Sequence, residues 1–91
     1  HKLSKLHTKN AEIINSMGRA AKTGTKLFEY LEQNPIIDIR KTSEDLGLAY
    51  STVSATVNRF VESSILTQTN NASRNRVFAY TEYLDILRKD T

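Results

Sequence analysis

Apolar residues recur at helical spacing from the start of the chain. Leu3, Leu6, Ile13, Ile14 and Met17 lie on one stripe, with His7 and Asn10 on or near it, which predicts an amphipathic helix. Gly18 and the stretch Thr23-Gly24-Thr25 are expected to break it, a hydroxyl there capping a second helix that starts near Thr25. Leu27, Phe28, Leu31 and Tyr30 supply the second helix's apolar face. Asn34-Pro35 ends it, because proline disfavours helical geometry in the residue before it. Ile36 and Ile37 then read as a short extended piece.

Asp38 is placed to cap a short helix over Ile39 to Leu46, with Gly47 suited to the left-handed conformation that stops it and Leu48 anchoring the turn. A further helix is predicted from Tyr50 to Ser63, where Val53, Val57, Phe60 and Val61 share one face and Ser51, Ser54, Ala55, Asn58 and Glu62 the other. The period then changes. Ile65 to Thr69 and Val77 to Tyr80 are rich in strand formers around a polar tip, Asn70 to Asn75, so a hairpin is expected. A last helix, from Thr81 as cap to about Lys89, offers Leu84, Ile86 and Leu87 for docking.

The order of these elements predicts a mainly α fold with a small β-hairpin: a winged helix-turn-helix preceded by an N-terminal amphipathic helix. Residues 1–22 form the linker or packing helix and residues 23–91 the winged domain. With 91 residues, one modest core is the expectation. Apolar residues make up 38% and charged residues 25%, which suits a globular chain, and no apolar run approaches the roughly 20 residues of a spanning helix. No cysteine is present, which excludes disulfides and thiolate zinc sites and makes a cytoplasmic location the default expectation, with no membrane partner. The chain opens on His1 rather than methionine, as a piece of a longer protein would.

Charge refines the functional reading. The net charge is +3, but residues 1–26 carry +5, residues 27–49 carry −3 and residues 50–91 carry +1, so the basic excess is N-terminal. The helix after Gly47 could enter a DNA major groove, with Tyr50, Ser51, Thr52, Ser54 and Asn58 at base edges or phosphates. Arg59, Arg74 and Arg76 are the expected phosphate contacts, the last two on the wing, where a charged tip can equally be a solvated loop. The polar helix face likewise has an ordinary solvent-facing reading. Thr42 stands where an apolar residue usually packs, Ala49 where serine often caps, Ala55 where arginine is common in DNA readers, and Ser64 where glycine usually precedes the wing. Each departure weakens DNA binding more than the fold, and dimerisation is expected if DNA is the ligand.

Residues 27–87 resemble the C-terminal winged helix that follows the catalytic domain in Fic-family proteins. The resemblance rests on Gln33-Asn34-Pro35-Ile36, Asp45-Leu46-Gly47, Thr52-Val53 and most specifically the run from Arg74 to Leu87, RNRVFAYTEYLDIL. It implies an accessory or regulatory module, tied to transcription regulation, whose partner is a parent domain that transfers AMP to a target hydroxyl. The family's catalytic loop, with its His-Pro-Phe start and Gly-Asn-Gly-Arg end, does not occur in this sequence. His1 and His7 are followed by lysine and threonine, and the three glycines are isolated, so no enzyme activity, cofactor or metal is expected. His7 reads as a packing residue at a boundary rather than as a base. The alternative to DNA binding is protein interaction or dimerisation, with the basic first helix docking its stripe on the parent catalytic domain or on a second copy.

Overall fold

The computed structural model describes residues 2–89. Helix α1 (Lys2–Asn15) leads through a 3₁₀ turn (Gly18–Ala20) into α2 (Ala21–Gln33), then strand β1 (Ile36–Asp38) and helices α3 (Ile39–Leu46) and α4 (Tyr50–Glu62). Strands β2 (Thr67–Gln68) and β3 (Val77–Ala79) and helix α5 (Thr81–Lys89) complete it. This is a winged helix-turn-helix carrying an additional N-terminal helix.

Local chemistry accounts for the helix-turn-helix. The Asp38 carboxylate accepts from the Lys41 amide at 2.8 Å, satisfying a free N–H in the first turn of α3. Gly47 ends α3 at φ +66°, in the left-handed region where a side chain is strained, and the Leu48 amide reaches back to the Ser43 carbonyl at 3.1 Å. Thr42, the apparent misfit, is buried, and its hydroxyl donates to the Asp38 carbonyl at 2.7 Å, so a polar group is enclosed with its bond made. Ser64 takes the expected glycine's role at φ +63°, while the Ile65 and Leu66 amides both bond the Phe60 carbonyl and close α4.

Three expectations are corrected. The second helix begins at Ala21, four residues before the expected start, and Thr23-Gly24-Thr25 lies inside it; the break between helices falls at Ser16–Ala20. Gly24 is there for packing: a Cβ on it would stand 2.9 Å from Ile14 Cγ2 and 3.6 Å from Phe60, so its bare backbone is what lets α2 approach α1 and α4. Thr25 donates to the Ala21 carbonyl at 2.9 Å instead of capping. At the other end, Thr81 is already helical and donates to the Ala79 carbonyl at 3.4 Å, so it does not cap α5. Val61 and Leu87, expected inside, are 37% and 38% exposed, because Thr56 takes the core-facing position on α4 and Tyr83 that on α5.

The hairpin is part of a larger sheet. β3 is central, pairing antiparallel with β2 (Thr67 opposite Ala79) and with β1 (Ile37 opposite Phe78, Asp38 opposite Val77). The core runs from Leu6 and Ile14 of α1 through Leu27, Phe28 and Leu31 to Val53, Val57, Phe60, Phe78 and Tyr80. The apolar stripe of α1 is therefore taken up inside the molecule. Asn10 on that stripe is buried and donates to the Tyr80 hydroxyl at 2.9 Å, and Tyr80 stacks on Tyr83 with ring centroids 5.0 Å apart. His7 sits at the rim, stacked on Phe28 at 5.0 Å and 2.8 Å from a Glu32 oxygen, as a boundary packing residue would.

Candidate nucleic-acid interface

Helix α4 presents its polar residues outward because Val53, Thr56, Val57 and Phe60 bury the opposite side. Ser51, Thr52, Ala55, Asn58 and Arg59 are exposed, Ser54 is half-buried, and Tyr50 is 55% exposed at the start of the helix. Arg59 and Glu62 are the helix's charged residues, so α4 carries no net charge of its own.

The wing is braced by side-chain amides. Asn70 accepts from the Val77 amide at 3.1 Å and donates to the Asn75 carbonyl at 3.1 Å. Gln68 donates to the Asn70 and Ala72 carbonyls at 2.7 and 3.0 Å. Asn75 turns the loop at φ +52°, a conformation asparagine tolerates better than most residues. Arg74 stands exposed at the tip, and Arg76 lies half-buried with its guanidinium carbon 5.4 Å from the centre of the Phe78 ring. A wing braced in this way loses less conformational freedom when it meets a ligand than a free loop would.

A cleft of about 560 Å³ separates the wing from the helix-turn-helix, bounded by Asp38 to Arg40, Tyr50 and residues 73–77. The structure thus brings Tyr50, Arg74 and Arg76 together and adds Arg40. Nothing local to Arg40 marks it as a site residue; the pairing of Asp38 with Val77 is what carries the first turn of α3 to the wing. One acidic residue, Asp38, lines the same cleft as the three arginines. Asp38 caps α3. Asp45 accepts from the Tyr30 hydroxyl at 2.6 Å and from Lys41 at 3.4 Å, and the Tyr30 bond is the main reason its carboxyl lies below the usual range. Tyr30 is pushed up to about 12, first by burial and then by its bond to Asp45.

Arg59 is not part of this cleft. It lines a separate groove with Ile13, Ser16, Met17, Glu62 and Ser63, at the far end of α4. Ser51, Thr52, Ser54 and Asn58 lie along the helix between the two ends. Among the described residues no group of three or more His, Asp or Glu could hold a metal ion, and no helix is long and apolar enough to cross a membrane. Comparison with family models, with curated proteins and with solved structures finds no match to this chain.

Proposed function

We propose that this chain is a DNA-binding module that acts through α4 and the wing and has no catalytic role of its own. The observation that carries the reading is the cleft on which Arg40, Arg74 and Arg76 converge beside the exposed start of α4. A helix held out from the body by a glycine turn is the right size for a major groove about 12 Å wide. Arginines beside its N-terminus match the place where a phosphate backbone would pass, and they form planar, charge-assisted bonds to phosphate oxygens. Ser51, Thr52, Ser54 and Asn58 are the candidates for base edges, with Tyr50 at the rim. Short hydroxyl and amide side chains and a helix without net charge favour modest affinity, which a dimer on two half-sites would raise. The resemblance over residues 27–87 supports a place in a cytoplasmic Fic-type protein as an accessory domain that directs or regulates the catalytic part.

Fluorescence anisotropy with a mixed-sequence duplex tests this reading, since phosphate-driven affinity must fall steeply between about 50 and about 200 mM salt. Replacing Arg40, Arg74 and Arg76 together by alanine should lower affinity for every sequence and reduce the salt slope by about 1 per arginine. Absence of binding at low salt would leave a protein-docking domain as the function. The reading as a docking module draws on α1, whose Lys2 and Lys5 face outward; with the stripe of Leu6 and Ile14 buried, a partner would meet the polar face of that helix.

A further inference from the structure

Tyr50 and Arg59 are nine residues apart on α4, which places them about 13.5 Å apart along the axis and half a turn apart around it. The two ends of the helix therefore look to opposite sides. Tyr50 borders the wing cleft, and Arg59 borders the groove formed with Ile13, Ser16 and Met17 at the end of α1. The chain leaves that groove at Met17 and enters the 3₁₀ turn, where Gly18 takes φ +64° and Arg19 is exposed. Neither Arg19 nor Arg59 forms an ion pair with any described residue. Glu62, in the same groove, is the opposing charge.

We infer that Arg19 and Arg59 form a second phosphate-contact point, which holds the DNA strand across the groove from the one met by Arg40 and the wing. This rests on the DNA-binding reading of α4. A helix lying in a groove about 12 Å wide has a backbone on each side of it, so arginines near each end, on opposite flanks, match two strands rather than one. The arrangement also gives part of the N-terminal charge excess a role: Arg19 belongs to that basic segment and follows by two residues Met17, which lines the groove together with Arg59.

The test uses the 91-residue chain and the mixed-sequence duplex, with ethylation interference to map the phosphates contacted on each strand. The unaltered chain should be blocked by ethylation at phosphates on both strands. Arg19→Ala with Arg59→Ala should lower the salt slope by about 2 and remove interference from one strand alone. Replacing Arg40, Arg74 and Arg76 together by alanine should remove it from the other. Both arginines of the new point are exposed, so thermal melting should stay unchanged and any loss is a loss of binding. A doubly substituted Arg19/Arg59 chain that keeps the original slope and both interference patterns overturns the second contact point while leaving the wing's role intact. An unaltered chain without salt-sensitive binding overturns the DNA-binding reading, and this inference with it.

Discussion

Single residues in this protein carry consequences out of proportion to their size. Asn10 and Tyr80 make one buried hydrogen bond that ties α1 to the start of α5. Removing one partner leaves the other unsatisfied in a dry environment, so Tyr80→Phe should destabilise the fold by about 1–3 kcal/mol, read as a lower midpoint in urea. A midpoint equal to that of the unaltered chain would mean that water reaches the Asn10 amide. Gly24 sets the opposite kind of constraint. Alanine is the better helix former by about 1 kcal/mol, yet its Cβ would stand 2.9 Å from Ile14. Overpacking of this kind costs about 1–3 kcal/mol, so Gly24→Ala should melt lower, and Gly24→Leu lower still. A stabilised Gly24→Ala chain would show that α1 and α2 can separate freely. Glu62 is the acid at the end of α4, and Glu62→Gln should raise affinity for duplex DNA at low salt by removing repulsion from phosphates. Affinity that stays constant or falls would place that end of the helix away from the backbone.

At the scale of elements, the wing differs from an ordinary polar loop. Asn70 and Gln68 hold its backbone with five side-chain hydrogen bonds, four of them to the backbone groups of Asn70, Ala72, Asn75 and Val77. Asn70→Ala removes three of those five bonds and no charge. It should therefore weaken DNA binding without changing the salt slope, the reverse of the arginine substitutions, because the cost is in ordering the loop and the number of phosphate contacts is kept. An altered slope would show that the brace positions an arginine directly. Helix α4 is stabilised differently: Ala49 gives its first turn no side-chain cap, so burial of Val53, Val57 and Phe60 is what holds it in place.

Across the whole molecule, two tyrosines, the buried Tyr80 and the half-buried Tyr30, couple stability to alkaline pH. Burial pushes Tyr80 up to about 12, against the bond from Asn10, and Tyr30 is raised to about 12 as well. Both shifts favour the neutral phenol in the folded chain. Their stabilising contribution is complete below the ordinary tyrosine value of about 10 and is lost as pH rises from there through about 12. Urea midpoints should fall over that interval; a midpoint independent of pH up to 12 would mean that the phenols ionise as readily folded as unfolded. The shared core gives such changes a global reach, because α1, α2, the sheet and α5 all meet around Phe28 and Tyr80.

What the sequence determines by itself is what depends on neighbours along the chain. The cap at Asp38, the stop at Pro35, the left-handed Gly47, the bounds of α3 and the polar turn of the wing all follow from local φ/ψ preferences and side-chain reach. The order of those elements was enough to define the fold class. Tertiary structure decided the rest. Gly24 reads as a helix breaker until the crossing of α1, α2 and α4 shows that space is what it provides. Ile36 and Ile37 read as an extended piece, but only their pairing with Ala79 and Phe78 makes a third strand. That same pairing sets Arg40 beside Arg74 and Arg76, while the length of α4 carries Arg59 to the other end of the helix. Contacts between residues tens of positions apart are set by how apolar faces bury one another, which no local pattern encodes, and the grouping of charges on the surface follows from those contacts.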